Sequence, residues 1–558
     1  MTGVDYAIVI GFLTVMALAG LWISRLIKDS DDFFVAGREL TPFILAATIT
    51  ATNLSMLHFI GMGGIAHKNG IPMIWQNWTG NIALVLSGIF ILPIMRRLRI
   101  RSIPELLEMR YSRGLRTLVG AFWGLRLCVF LGILLYVAAT AAMTITGWNN
   151  YIAWLLIFSL VSIIYSVVGG AWAVAIMDSV QFVVMLAGGL IVFPIAMKLA
   201  GGLPSMIEYF NQHKPQQITL VQQTSDFNWL FITSILLLGF KWSTIDQAIL
   251  QRAFGARSPR VGAQAMILSA IITTPMTFLW ILPGVALARV HPEPFATPDH
   301  AIPWLLSTQL PAIGKGLLGF VLCGLVAAQI STITADVNSV ATLFTSDVYR
   351  TLKRREPTQR QLLFVVRVSS LACGLLMLLV AFGLQFTSAG AVNVNLAVVG
   401  ILDMPLFIIT VVYGLTWRRM NWQGATAGFV FGGAAGMLCY AFFDASFARK
   451  FAPIVSSSTA LLVTPIVSFL TRRSEGTEVD RIFSSIGRGD LDEGDVRPFH
   501  LFPESGLGKL GALLVVLGLV VFLVGVFSGA WAFSRSGTLA VAGMLMVLVG
   551  GLFRVYSD

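Results

Sequence analysis

Apolar residues in this chain fill whole stretches instead of alternating or keeping to one helical face, and short polar segments separate those stretches. A helix needs about 20 consecutive apolar residues to cross the hydrocarbon core of a bilayer. Blocks of that kind lie at 5–27, 43–66, 72–95, 117–146, 151–168, 171–199, 227–249, 261–288, 312–346, 363–388, 392–416, 423–446, 453–470, 508–529 and 535–553. The pattern predicts an all-α polytopic membrane protein with about fifteen transmembrane helices.

Some blocks contain residues that lipid tolerates poorly. The stretch ATITATNLSMLHFIGMGG (47–64) carries Thr48, Thr50, Thr52, Asn53, Ser55 and His58, then Gly61, Gly63 and Gly64. A membrane helix of that content holds together weakly, and an unwound turn in it frees backbone carbonyls for other use. Asp178 falls about 10 Å along a helix beginning near residue 171, at about 1.5 Å per residue. A carboxylate there costs about 2.5–3.5 kcal/mol to insert and must meet a partner, water or an ion. In LVAAQISTITADVNSVATLFTSDVY (325–349), Ser331, Thr334 and Asn338 share one face, and Thr332 and Asp336 are four apart. Single hydroxyls in membrane helices often bond back to the i−4 carbonyl. A seam that also holds acids and an amide suits a small hard cation such as sodium, which prefers oxygen ligands.

Composition agrees with a lipid solvent: 56% of 558 residues are hydrophobic and 12% charged, about half the roughly 25% charge of a soluble chain. The net charge of +11 does not point to nucleic acid, because the basic residues occupy loops between apolar blocks. They crowd 96–116, 251–260, 349–360, 417–420 and 471–473, all on one side of the expected topology. Taking that side as cytoplasmic puts the N-terminus outside and the C-terminus inside a plasma membrane. No cleavable signal peptide is expected. The four cysteines, Cys128, Cys323, Cys373 and Cys439, lie inside apolar blocks without metal-ligand spacing and read as small hydrophobic fillers. The six histidines form no nucleophile or metal constellation, so an enzyme is not expected. The acidic segment within 474–506 reads as a weakly structured linker before the last two spans.

Six strings, DFFVAGREL (32–40), ATNLSMLHFIG (51–61), RIRSIPELLEMRYS (99–112), YSVVGGAWAVAIMDSVQ (165–181), DQAILQR (246–252) and NSVATLFTSDVY (338–349), occur in order. Together they resemble the sodium/solute symporter family, which includes bacterial sodium/galactose and sodium/sialic acid transporters and animal sodium/glucose cotransporters. The resemblance covers about residues 5 to 470. It implies an inverted five-plus-five helix repeat transporter core with extra N- and C-terminal helices and a discontinuous first helix in each repeat. The corresponding domains are an N-terminal extra helix (1–40), a first repeat (41–200), a second repeat with external loops (201–420), following helices (421–471), a cytoplasmic linker (472–507) and two C-terminal helices (508–558).

The same resemblance implies a site for Na+ from the carbonyls of Ala51, Leu54 and Ala328 and the hydroxyls of Ser331 and Thr332. Asp178 and Thr334 correspond to a second sodium site or a release path. Ala335 stands where that site would have a further hydroxyl, so one ion per cycle is favoured over two. Candidate solute contacts are Asn53, Ser55, His58, Gly239, Trp242 and Ser243, and candidate gating or ion-pair residues are Arg126, Lys241, Asp246, Asp336 and Asp403. For Lys241, a pairing with Asp336 or Asp403 is favoured over contact with a solute carboxylate. The arginine of sialic acid transporters falls at Phe130, and the glutamine of sugar transporters near Ala397, with Asn393 and Asn395 close by. The leading expectation is import of a sugar or polyol across the lipid membrane by alternating access in a monomer, without a protein or nucleic-acid partner. The alternatives are an organic carboxylate, including sialic acid, or an amino acid, and beyond these an ion channel or transporter-like sensor.

Overall fold

A computed structural model of the protein describes residues 1–23, 40–98, 100, 102–222, 227–353, 357–386, 391–472, 477–487, 502–531 and 535–557. The side chains of 17, 20–23, 164–175, 445, 446, 449, 477 and 487 lie outside that description, as does most of the DFFVAGREL string. Among the described residues the secondary structure is helical, with two isolated bridges, Leu40 to Ala256 and Gln222 to Asn228, and no sheet.

Eleven helices among the described residues are long and apolar enough to cross a membrane, or up to thirteen if each of two bent pairs counts as one span. Shorter apolar helices at Gly3–Met16 and Tyr151–Ile163 lie within two more of the expected blocks. The spans expected separately at 151–168 and 171–199 are joined in one helical element, Tyr151–Leu199. Gly169 and Gly170 fall between those blocks, and glycine weakens a helix by only about 1 kcal/mol where proline costs about 3. A second difference lies in the linker, where Thr477–Gly487 is helical. Its Ile482 is buried, and Phe483 lies 5.6 Å from the guanidinium of Arg110 and 5.0 Å from that of Arg418. Those arginines give an aromatic ring in a polar segment something to dock on.

The Leu317–Thr342 helix is enclosed, its side chains buried almost all round. Such a helix forms the centre of a bundle. It packs chiefly against Tyr151–Leu199 and also touches Arg113–Thr146 and Pro42–Asn53. The two bent pairs lie beside it: Pro42–Asn53 with Leu57–Asn69 at 54°, and Trp229–Ile245 with Gln247–Phe254 at 41°. Each break is an extended residue, Leu54 at φ −96°, ψ 121° and Asp246 at φ −64°, ψ 120°.

Both breaks carry side-chain caps. The Ser55 hydroxyl accepts from the Leu57 N–H at 3.3 Å, and His58 Nδ1 accepts from the Ser55 N–H at 3.2 Å. The second bond is the return half of a capping box, with histidine in place of the usual Glu or Gln, while the hydroxyl takes the second N–H of the turn instead of the third. At the second break, Asp246 Oδ1 accepts from the Ala248 N–H at 3.2 Å. Beyond the first break the second half-helix is clasped by backbone. A Cβ at Gly64 would stand 1.9 Å from the Pro298 carbonyl oxygen, and one at Gly284 2.0 Å from that of Gly63.

Gly64→Ala and Gly284→Ala are each expected to destabilise the protein by about 1–3 kcal/mol, as overpacking does. Gly114→Ala, where a Cβ meets nothing within 4 Å, serves as control. Thermal unfolding in detergent measures this, and an unchanged midpoint for Gly64→Ala would contradict the clasp.

Candidate solute and sodium site

Because the first half-helix ends at Leu54, its last ordinary bond runs from the Leu54 N–H to the Thr50 carbonyl at 3.1 Å. Later carbonyls in the turn have no helical donor. Thr332 reaches them from the central helix: its Oγ1 lies 3.1 Å from the Thr52 carbonyl oxygen, 3.2 Å from that of Leu54 and 3.1 Å from that of Ala328. One hydroxyl proton cannot satisfy three acceptors. The cluster has more acceptors than donors, which is what a small hard cation needs.

Ser331 sits beside this cage and donates to Asp178 Oδ1 at 2.6 Å, while Thr48 donates to Asp178 Oδ2 at 2.6 Å. With its proton committed to the carboxylate, the Ser331 hydroxyl presents lone pairs to a cation. Asp178 and Ser331 are fully buried. The nearest counter-charge is the guanidinium of Arg252, its Nε 3.8 Å from Asp178 Oδ2.

A cavity of about 160 Å³ opens next to the cage, with Thr332 in its wall. A water needs about 10–15 Å³ on the same measure, so a solute of monosaccharide or amino-acid size fits. Asn53, Ser55 and His58 line it from the first break, and Gly239, Lys241, Trp242 and Asp246 from the second bent pair. The capping geometry fixes the state of His58: a backbone N–H donating to Nδ1 requires a lone pair there, so the neutral ring carries its proton on Nε2. Gly239 lets two helices close on each other, since a Cβ there would come within 3.1 Å of the Gly80 backbone.

Charge is concentrated in and behind this wall. Arg126 Nη2 pairs with Asp403 Oδ2 at 2.9 Å, and the Lys241 ammonium pairs with the same oxygen and, at 3.5 Å, with Asp246 Oδ2. Asp403 stands behind the wall, and Asp336 lies in it. Lys241 therefore meets Asp403 and not Asp336.

Other expected residues are arranged differently. The carbonyl at Thr332 two residues before Leu54 is that of Thr52, not Ala51, because the helix runs on to Asn53. Ser243 does not line the cavity. Its hydroxyl donates to the Phe240 carbonyl at 3.2 Å, and its own carbonyl accepts from Ser87 at 2.6 Å, because one residue beyond Trp242 turns a side chain about 100° round a helix. The Thr334 hydroxyl is buried without a hydrogen-bond partner among the described residues, and no described contact joins it to Asp178.

Gln76, Asn77 and Asn395 also line the cavity. The amides of WQNW (75–78), inside an apolar block, were the available signal for the first two. Arg252 as the counter-charge of Asp178 had no local signal, being 74 residues away in sequence.

The model of the Sodium:solute symporter family matches residues 33–432. A sodium/glucose cotransporter of Vibrio parahaemolyticus is 27% identical over 468 residues, 76% of this chain and 83% of that protein. Sodium/myo-inositol cotransporter 2 of Rattus norvegicus is 27% identical over 470 residues, 77% of this chain and 69% of its own length. Among solved structures, a Na+-coupled sialic acid symporter in a substrate-bound outward-open state superposes with a TM-score of 0.74 at 21% identity, covering 85% of this chain and 99% of that one. That likeness is one of fold. The chain belongs to the sodium:solute symporter family and is a multi-pass membrane protein that couples Na+ to the movement of a small organic solute.

Proposed function

We propose that the protein imports a polar solute bearing an ionised group, an organic carboxylate or amino acid, at the cavity beside the first helix break. The observation carrying this reading is the charge in and around that cavity: Arg126, Lys241, Asp246 and Asp336 in the wall, with Asp403 behind it. Desolvated charges in a membrane interior are costly and mark substrate or ion pathways. A neutral sugar or polyol, the leading expectation from sequence, is the second reading. It is favoured by the Trp242 ring, the amides of Gln76, Asn77 and Asn395, and relatives named for glucose and myo-inositol.

Transport on this reading proceeds by alternating access in a core of two inverted repeats, 41–200 and 201–420, with the N-terminus outside and the C-terminus inside. One Na+ per cycle binds the oxygens of Leu54, Thr52, Ala328, Ser331 and Thr332. It pins the broken turn against the central helix and completes the adjoining solute wall. Asp178, held by Thr48 and Ser331, orients the serine hydroxyl and draws the ion towards the cytoplasmic side on release. The inward sodium gradient supplies the work, with about 2.3 kcal/mol added per net charge moved per 100 mV. A channel is disfavoured because the polar groups converge on one cavity beside two breaks.

Loss of a charge-assisted oxygen contact costs about 1.5–3 kcal/mol. Thr332→Ala in proteoliposomes is therefore expected to raise the half-saturating Na+ concentration by about 10- to 150-fold, with normal insertion, and Ser331→Ala should act in the same direction. Normal sodium activation in both would remove the cage assignment. Ser243→Ala, outside the wall, is expected to leave sodium and solute dependence within about twofold, since substitutions away from such features stay within about 0.5 kcal/mol. For the solute class, organic acids and amino acids are expected to drive radiosodium uptake where glucose and myo-inositol do not; the opposite result would favour the second reading.

A further inference from the structure

Asp336 is a wall carboxylate with cations around it but none in direct contact. It lies one helical turn beyond Thr332, is 3% exposed and lines the cavity. Among the described residues it has no hydrogen-bond donor and no cationic group within ion-pair distance. Of the cations around it, Arg126 pairs with Asp403, Lys241 pairs with Asp403 and Asp246, and Arg252 approaches Asp178 at 3.8 Å, so none makes a direct contact with Asp336. A buried carboxylate left this way in a membrane interior persists where water or a ligand supplies the missing donors.

The rest of the wall is short of donors in the same sense. Gln76 Oε1 and Asn395 Oδ1 are buried without hydrogen-bond partners, and both residues line this cavity. On the opposite side of the ledger, Arg126 Nε is a buried donor without an acceptor. A sodium ion at Asp336 would need several converging oxygens, but the hydroxyl one turn before it on the same helix, Thr332, faces the carbonyl cage. A primary ammonium needs less, because it carries the charge and brings three donors of its own.

We propose that Asp336 is the specificity-determining residue of the site and binds an ammonium group on the solute, so that the cargo is a zwitterion of the amino-acid type. The inference rests on the charged-solute reading above and narrows it. The solute ammonium meets Asp336 and the orphaned amide oxygens, and its carboxylate faces the Arg126 side. Bound there, the ammonium stands about one helical turn from the sodium cage, about 6 Å along the helix, so a carboxylate at 336 also screens the two cations from each other.

The test is solute-driven radiosodium uptake in proteoliposomes, using the common amino acids, their analogues without the amino group, and glucose, galactose and myo-inositol. At least one amino acid should drive uptake while its deaminated analogue does not. Asp336→Asn should raise the half-saturating amino-acid concentration at least about thirty-fold, in line with removing one partner of a buried charge pair, and Asp336→Glu should restore part of it. Radiosodium binding without solute, together with size-exclusion profiles, shows whether each variant retains its fold and sodium cage. Equal uptake with deaminated acids or with sugars, or an Asp336→Asn value within threefold of wild type, overturns the ammonium assignment while leaving the symporter reading standing. Absence of sodium uptake with every solute overturns that reading and this inference with it.

Discussion

Inside a bilayer every backbone polar group must find a partner within the protein, and the site described above exists where that rule is locally suspended. Two helices break, at Leu54 and Asp246, and each break would be unaffordable in lipid without replacement partners. The replacements differ in kind. Donors exposed by the breaks are capped by side chains, Ser55 with His58 on one and Asp246 on the other. Acceptors exposed by the first break are left to Thr332, one hydroxyl for several carbonyls, and that excess of oxygen is the chemical basis of a cation site.

Several residues consequently have two roles. His58 closes the capping box through Nδ1 and has an Nε2–H remaining beside the solute cavity. Asp246 caps a half-helix and shares Lys241 with Asp403. Thr332 belongs to the cage and to the cavity wall. On the proposed reading sodium and solute are coupled by adjacency: a change in the broken turn that improves the cage also moves the wall that the solute would touch. No long-range wire is required.

Charges buried around the cavity are balanced unevenly. Asp403 takes two cations, Asp178 takes two hydroxyls with Arg252 at a longer distance, and Asp336 has no direct hydrogen bond or ion pair among the described residues. Uneven balance of this kind is tolerable in a transporter because the missing partner arrives with the cargo and departs with it. A site fully neutralised by its own side chains would have little affinity left for an ion or a charged solute.

The sequence by itself determined the solvent, the helical class, the family and the broken first helix. Each is written in local pattern: apolar blocks of membrane length, the weak string 47–64, and the ordered motifs from DFFVAGREL to NSVATLFTSDVY. It also marked most of the wall, because an ionisable or amide residue inside an apolar block stands out wherever it later points. Tertiary structure alone decided the pairings and the facing. Lys241 meets Asp403 over 162 residues of separation, Arg252 comes near Asp178 over 74, and Ser243 turns away from a cavity that Trp242 lines. The Thr52 carbonyl replaces that of Ala51 because one further residue stays helical. The physical reason is common to all four: partner choice depends on helix rotation and on which helices the bundle brings together, and neither leaves a trace in the spacing of residues along one segment.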